Sequence, residues 1–542
     1  MFYSHDSKRS LSRTSLFFVL LLGLTLTQGV LHAQPLKFQA GPAADLQIDN
    51  RYFKIVGQYK EAYLVICPNL KADFQLALFD KNLQPLRNLL VRFPQDQKLV
   101  HSLQNAWLVE DKIILLTHTY NRSIQYDQYH LWQMSEEGTL VRGPVEFARH
   151  RGNGIVIDPE TKPVFGCSQD KKTLFAFSGL VSNYGQTNSG FQVTVVDNEL
   201  ETIMFRTINI PVDNQSARIL EADLLDQKNG YVVLNFENLP KPGTKSSAAK
   251  IPNLALYKLS LAAPQAEALV LKTEEHPFVH GIYAKWSSYG SHLLVASNLA
   301  PSHKSGIQSI HFQKFGLSDT LPLSKHSFAI PAGFRKTAET NNKKFKDTGT
   351  PKRYLKEVMD LEIQITENSP EFFTLYGSIE RINREVPTGE KQNEVRDEKA
   401  TYTYYSQGNL IANGTWSSGF HNYYENPMDH IVVPKTSPSI TGNLGMPYGS
   451  GNLMVYNDIL DNTKPRDTNF KPVGLDVEKV SDAKTVLLHV DPRGRFNFHL
   501  PFADPTDAVR IYPKSVFRNS AGEFIFLGCN HKCKLRLIKA AY

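Results

Sequence analysis

An internal repeat constrains the fold of this chain more than any other feature. The segment "FQLALFDKNLQPLRNLLVRFPQD" (74–96) aligns without gaps with "FQVTVVDNELETIMFRTINIPVD" (191–213). Each copy has an apolar segment, a polar stretch that opens with Asp80 or Asp197, and a second apolar segment. An aspartate carboxylate accepts hydrogen bonds from main-chain amides about two residues further on, which starts a turn. Each copy is therefore predicted to be a strand–turn–strand hairpin.

The repeat predicts an all-β fold. Looser copies of the hairpin occur at 310–331 and 485–502, short strand-like segments lie between the copies, and helical periodicity is almost absent. Many short strands with a recurring unit are typical of a β-propeller, in which sheets are arranged around an axis. The offset of 117 residues (191 less 74) suits two blades. We expect seven blades, with six or eight as alternatives.

The same pattern predicts how the ring closes and allows two other folds to be weighed against the propeller. The C-terminal hairpin (523–538) is expected to share a blade with the strand near 51–59, which would close the ring. An outer-membrane barrel is an alternative, but its strands alternate apolar and polar residues, whereas several segments here are apolar throughout. Two β-sandwiches are a further alternative, but no linker divides the chain.

Residues 1–33 have the features of a secretory signal peptide. Lys8, Arg9 and Arg13 precede the apolar segment "LFFVLLLGLTL" (16–26), and cleavage is expected after Ala33. A transmembrane anchor is the alternative, but the segment is shorter than the roughly 20 apolar residues that a span needs. No later segment is long enough to span a membrane. We therefore expect a single propeller domain, 34–542, in the periplasm or outside the cell.

The charge of the chain argues against a nucleic-acid protein. Without residues 1–33 there are 57 Lys and Arg (60 less 3) and 52 Asp and Glu (53 less 1), a net charge of +5. A dedicated nucleic-acid protein would have a clustered basic face. Three polar insertions, 240–252, 334–358 and 382–400, are predicted to be surface loops. The basic one, 334–358, would contact an anionic glycan or membrane surface if it is not simply a solvated loop.

The sequence "CNHKC" contains Cys529 and Cys533, between two predicted strands of the C-terminal hairpin. Exported proteins keep disulfides, and residues facing each other across antiparallel strands lie within disulfide range. We predict a Cys529–Cys533 disulfide. Two free thiols are the alternative, and zinc is the weakest interpretation because only His531 is near and zinc usually takes about four ligands.

The chain resembles uncharacterised secreted bacterial β-propeller proteins. The resemblance rests on the signal peptide, the strand–aspartate turn–strand copies and "LMVYNDILDN" (453–462). It implies the architecture and export, and it implies no activity.

Two segments contain candidate binding residues. Within "TWSSGFHNYYENPMDH" (415–430) the candidates are Trp416, His421, Tyr423, Tyr424 and Glu425. Aromatic rings with hydrogen-bonding neighbours suit sugars or peptides, unless Trp416 and one tyrosine pack between blades. The second segment could supply oxygen ligands to calcium, or could be a polar turn at a strand end. Its residues are Asn457, Asp458, Asp461 and Asn462. No other cofactor or metal is expected.

The function predicted from the sequence is binding rather than catalysis. There is no G-x-S-x-G, phosphate-loop, H-E-x-x-H or EF-hand motif. We expect a binding or scaffold protein whose ligand is a glycan or an envelope protein. The alternative is a glycoside hydrolase or lyase with two carboxylates in the central funnel, for which Asp458 and Glu425 are the first candidates. The sequence does not set the oligomeric state.

Overall fold

The chain forms an eight-bladed β-propeller. The computed structural model describes residues 37–44, 54–68, 73–94, 100–121, 123–151, 163–180, 188–211, 215–238, 253–262, 265–336, 361–385, 401–432, 443–448, 451–458, 484–490, 496–502, 509–530 and 534–541. Eight antiparallel sheets of four strands follow one another along these ranges. The all-β propeller prediction is confirmed. The preferred count of seven blades is wrong, and the alternative of eight is correct.

The strands of the first four blades, from the innermost outward, are β2 (Lys54–Tyr59), β3 (Ala62–Pro68), β4 (Asp73–Asp80) and β5 (Pro85–Arg92); β6 (Ser102–Val109), β7 (Lys112–Asn121), β8 (Tyr126–Met134) and β9 (Leu140–Arg151); β10 (Val164–Cys167), β11 (Leu174–Leu180), β12 (Asn188–Val196) and β13 (Thr202–Pro211); and β14 (Gln215–Leu224), β15 (Asn229–Asn238), β16 (Leu254–Ser260) and β17 (Gln265–Ala268).

The strands of the last four blades, in the same order, are β18 (Phe278–Trp286), β19 (Leu293–Ala300), β20 (Ser309–Phe315) and β21 (Ser324–Ala329); β22 (Glu362–Glu367), β23 (Phe372–Glu385), β24 (Thr401–Thr415) and β25 (Gly419–Val432); β26 (Asn443–Tyr448), β27 (Gly451–Asp458), β28 (Lys484–Val490) and β29 (Phe496–His499); and β30 (Arg510–Arg518), β31 (Phe524–Cys529), β32 (Leu535–Ala541) and β1 (Lys37–Ala40).

The ring closes in blade 8, where β1 from the start of the described chain pairs with β32 from its end. Lys37 lies opposite Ala541 and Ala40 opposite Ile538. The prediction that terminal segments close the ring is confirmed, but 51–59 is not the closing strand, because β2 is the innermost strand of blade 1. An outermost strand has a neighbour on one side only, so the short and half-exposed β1 suffices there.

The repeat corresponds to one structural unit, the hairpin of the third and fourth strands of a blade. The two close copies form these hairpins in blades 1 and 3, and the looser copies form them in blades 5 and 7. Oδ1 of Asp80 accepts hydrogen bonds from the amides of Asn82 and Gln84, each at 2.8 Å. Asp197 accepts two equivalent bonds at 2.9 Å. The predicted role of these aspartates in the turns is therefore confirmed.

The core of the protein lies between the blades. Within the described residues, eight buried apolar clusters occupy the eight junctions between neighbouring blades. Strands within a blade are therefore covered on both faces, which explains why several segments are apolar throughout. Side chains also bond to the main chain of the next blade. Lys285 Nζ, for example, donates to the Ile365 carbonyl oxygen at 3.2 Å, and Asn457 Nδ2 donates to the Ile511 carbonyl oxygen at 2.7 Å.

Antiparallel pairing gives the ring two different faces. On one face, which we call the turn face, short turns join the first strand of a blade to the second and the third to the fourth. On the opposite face, which we call the loop face, lie the strand ends that the longer connections join, among them residues 239–253, 330–361, 386–400 and 459–483. The predicted insertion 240–252, and most of 334–358 and of 382–400, lie outside the described residues. Residues 1–33, the predicted signal peptide, also lie outside them.

The C-terminal hairpin places Cys529 at the end of β31, buried and directly opposite Leu535. The hairpin closes between Asn530 and Lys534, whose main-chain groups bond at 3.2 Å. Cys533 lies outside the described residues, so the disulfide stays a prediction. The expected facing of the two cysteines across the strands is wrong, because Leu535 takes that position.

Candidate functional site

The innermost strands of the blades surround the axial channel, and their ends on the turn face carry several charged or polar side chains. Blades 3 and 4 contribute Cys167, Lys171, Glu221 and Asp223, and blades 5 and 6 contribute Lys285 and Glu367. We call this set the channel mouth. Neighbouring innermost strands pack together, for example β10 with β14 and β18 with β22.

A β-bulge aligns the two acids of blade 4. The pairing of β14 with β15 shifts between Ile219 and Glu221, so Leu220 has no opposite residue. Glu221 then lies opposite Val233, and Asp223 opposite Tyr231. Alternate residues of a strand share a face, so both carboxyl groups lie on the face that carries Tyr231.

The Tyr231 hydroxyl connects Glu221 to blade 5. It lies 2.7 Å from Oε1 of Glu221 and 2.8 Å from the Ala284 carbonyl oxygen. A hydroxyl has a single proton to donate. Both contacts are satisfied when a protonated Glu221 donates to the hydroxyl and the hydroxyl donates to Ala284. Burial raises the pKa of Glu221, which favours this protonated form.

Asp223 is an acid whose proton exchanges near neutral pH. Burial raises its pKa to about 7, although a hydrogen bond from the Leu224 amide acts in the opposite direction. That bond, from Leu224 N to Oδ1, is 2.8 Å long. A carboxyl group with such a pKa is able to act as a general acid at neutral pH.

The amine of Lys54 and the thiol of Cys167 also have shifted pKa values. Burial, followed by the positive charge of Lys171, lowers the pKa of Lys54 to about 8. The Lys54 ammonium donates to Asn105 Oδ1 at 2.8 Å and to the Ala106 carbonyl oxygen at 3.1 Å. Burial raises the pKa of Cys167 to about 11, so its thiol stays protonated at neutral pH and is a poor nucleophile.

At the junction of blades 5 and 6, a carboxylate is held in a fixed position. Glu367 is 7% exposed and accepts hydrogen bonds from the Ser287 hydroxyl at 2.8 Å and the Ser288 amide at 2.7 Å. Burial lowers the pKa of Lys285, and the negative charge of Glu367 opposes that change. The channel mouth thus combines carboxyl groups and amines whose positions are set by neighbouring blades.

The residues predicted from the sequence are not brought together. Trp416 lies in the turn after β24 on the turn face, whereas Asp458 ends β27 on the loop face. His421 and Tyr423 are exposed on β25, the outermost strand of blade 6. Tyr424 and Glu425 are on the same strand, and their side chains, like that of Asp458, lie outside the described residues.

Trp416 packs in the junction of blades 5 and 6, which agrees with the alternative that this residue packs between blades. It is 8% exposed, its ring stacks on Phe312 at 4.8 Å between centroids, and the Lys314 ammonium lies 5.1 Å from the ring centre. This leaves little of the ring for a ligand. Among the described residues, no group of three or more His, Cys, Asp or Glu is arranged to hold a metal ion.

The proposed calcium ligands are only partly described. Both polar atoms of the Asn457 side chain bond to protein groups: Nδ2 donates to the Ile511 carbonyl oxygen, and Oδ1 lies 3.3 Å from both Thr485 Oγ1 and the Ile511 amide. Asn457 thus joins blade 7 to blade 8. Asp461 and Asn462 lie outside the described residues.

Glu221 and Asp223 are not among the residues predicted from the sequence. The available signal was "ILEADLL" (219–225), in which acids two residues apart alternate with apolar residues within a strand. Such a pattern indicates a strand with one polar face. In a propeller, a polar face on an innermost strand borders the channel.

Known proteins give little further guidance. No protein-family model matches the sequence, and no curated protein matches it. Solved structures that match include a Penicillium chrysogenum α-L-arabinanase (10% identity, 62% of this chain and 94% of that chain, TM-score 0.31) and the β-propeller domain of the Pyrococcus furiosus Trilobed protease (10%, 70% and 95%, 0.30). A third is the WD40 domain of SCAP from fission yeast (10%, 93% and 98%, 0.38). Structural similarity this weak does not identify a ligand or an activity. Among the described residues, no helix has the length and apolar character needed to cross a bilayer.

Proposed function

We propose that this protein is an exported binding scaffold that takes a glycan at the turn-face mouth of its channel. The observation that carries the proposal is the set of fixed polar groups there: Glu221 and Asp223 on one strand face and Glu367 held by two hydrogen bonds. A sugar offers many hydroxyl groups, which act as both donors and acceptors. Preorganised carboxyl groups and amines match them at little entropic cost. Export is proposed from residues 1–33 alone.

The proposal predicts that removing the acids of blade 4 weakens glycan binding. The double variant Glu221→Ala/Asp223→Ala should raise the Kd for the best-bound probe at least about tenfold, because two hydrogen-bonding groups are lost. The probes are cellohexaose, xylohexaose, chitohexaose and hexagalacturonate, measured by isothermal titration calorimetry. Glu274→Ala/Glu275→Ala is the matched control, since it removes two exposed acids between β17 and β18, on the loop face. Absence of binding by the wild-type protein, or an equal loss in the control, would refute the proposal.

A second candidate is a glycoside hydrolase, and the pKa values of the blade 4 acids favour it. Glycoside hydrolysis needs one carboxylic acid that still holds its proton and a second carboxylate. Asp223, with a pKa of about 7, is suited to the first role. Glu367, fixed at the junction of blades 5 and 6, is the candidate for the second.

The hydrolase candidate predicts turnover with a defined pH dependence. Release of 4-nitrophenol from a panel of aryl glycosides should decline above about pH 7, as Asp223 loses its proton. Asp223→Asn keeps the size and hydrogen bonding of the side chain, so it should bind hexasaccharide and release no nitrophenol. Hexasaccharide binding without any turnover by the wild-type protein would eliminate the hydrolase and leave the binding scaffold.

A further inference from the structure

Two exposed aromatic rings flank one turn on the turn face. Tyr289 lies in the turn between the first two strands of blade 5 and is 49% exposed. Phe372, the first residue of β23 in blade 6, is 53% exposed. Between them lies the turn 368–371 of blade 6. Large apolar side chains on a surface are unremarkable singly, but a pair on adjacent turns beside a polar channel calls for an explanation.

The turn holds the Tyr289 side chain and the main chain of Phe372. The Tyr289 hydroxyl donates to the Asn368 carbonyl oxygen at 3.3 Å. The Phe372 amide donates to Ser369 Oγ at 3.1 Å, and the Asn368 amide donates to the Phe372 carbonyl oxygen at 2.9 Å. The turn therefore fixes the points from which both side chains project, so little main-chain entropy would be lost when a ligand covers the rings.

The groups beside the rings are polar. Glu371 is exposed, and its Oε1 accepts a hydrogen bond from the Ser417 amide at 2.8 Å. Hydrogen bonding to Ser417, first to its side chain and then to its amide, holds the pKa of the carboxyl group below its usual value. The Ser417 and Ser418 side chains are exposed next to it. An ionised carboxylate supplies acceptors for hydroxyl groups, and serine hydroxyls supply both donors and acceptors.

We propose that Tyr289, Phe372 and the turn 368–371 form a carbohydrate-binding platform. A pyranose ring has an apolar C–H face and a rim of hydroxyl groups, which match an aromatic face bordered by hydroxyls and a carboxylate. The inference rests on the glycan-binding function proposed above and names the aromatic surface that it uses. It places glycan contacts on blades 5 and 6, next to the channel mouth.

The platform is tested by calorimetry with the same four hexasaccharides. Tyr289→Ala and Phe372→Ala should each raise the Kd about 3- to 10-fold, and the double variant should show roughly the product of the two effects. Tyr289→Phe keeps the ring and should bind nearly as well as wild type. All these side chains are half-exposed, so Tm should stay within about 2 °C of wild type.

Two control variants separate a sugar platform from a general apolar surface. Phe205→Ala removes a ring that is 62% exposed on blade 3, and Leu323→Ala removes an apolar side chain that is 58% exposed on blade 5. Neither should change the Kd. Equal loss in Leu323→Ala would overturn the platform. Binding that depends on Glu221 and Asp223 but not on the rings would also overturn it and leave the proposed function standing. Absence of binding to every probe would refute the glycan function itself.

Discussion

Replacing His101 with glutamine should make the protein less sensitive to acid. Burial, and to a lesser degree the nearby His130, lowers the pKa of His101 to about 4 from a usual 6.5. Between these values the unfolded chain binds a proton at this site and the folded chain does not. The free energy of unfolding therefore falls as the pH falls from about 6.5 to about 4, by about 1.4 kcal/mol per pH unit for this histidine. His101→Gln should remove that part of the slope.

The structural cause of this effect is the polar network at the junction of blades 1 and 2. His101 is 7% exposed, lies edge-on to Trp132, and has Nδ1 3.1 Å from Thr117 Oγ1. Trp132 Nε1 donates to the same hydroxyl at 3.0 Å. A protonated His101 would be a charge without an acidic partner among these groups.

The measurement is a series of urea unfolding curves at half-unit steps between pH 4.5 and 6.5. The difference between wild type and His101→Gln isolates the contribution of His101 to the pH dependence of stability. Other groups contribute in other directions; the raised pKa of Asp223, for example, makes stability fall as the pH rises. Equal slopes in wild type and His101→Gln would show that the folded protein accommodates the charged imidazole.

Replacing Trp416 with alanine should destabilise the fold rather than remove a ligand. The side chain is buried among Phe312, Phe373 and Lys314, and its loss would leave a large cavity between blades 5 and 6. Truncation of a buried tryptophan typically costs about 3–5 kcal/mol. We expect a loss of that size in the free energy of unfolding, measured by urea denaturation.

Tyr423→Ala is the matched control, because this ring is 50% exposed and packs edge-on against Phe328. Its cost should be below about 1 kcal/mol. A Trp416→Ala variant as stable as wild type, but with weaker hexasaccharide binding, would instead restore Trp416 as a ligand-binding residue.

The hairpins were predictable because their turns depend on local chemistry. Asp80 and Asp197 bond to amides two and four residues further on, so the short polar stretch itself determines the turn. The blade number depends on non-local features. The recognisable copies occur only in alternate blades, and in blade 2 the equivalent turn begins with Ser135, whose hydroxyl accepts from the Thr139 amide. Long connections in the second half of the chain also make the sequence distance between successive blades irregular.

The candidate site was less predictable, since its residues come from different blades. Glu221 and Asp223 gain their properties from burial and from Tyr231, and none of these is visible in a local pattern. Conversely, "TWSSGFHNYYENPMDH" is rich in groups that suit a ligand, but its strand is the outermost of blade 6. Distance from the axis, which decides whether a side chain borders the channel, is set by the order of strands in the sheet.

The pairing of β1 with β32 has a consequence for how the ring forms. It joins residues about 500 positions apart, and closing so long a loop costs about 3.5 kcal/mol more than closing a ten-residue hairpin. A four-residue strand contributes few hydrogen bonds to offset this cost. Phe38, which packs against Phe502 and Phe526, supplies apolar contact as well. The outer edge of β32 stays unpaired until β1 binds to it. Ring closure is therefore expected to be a late and slow event in folding.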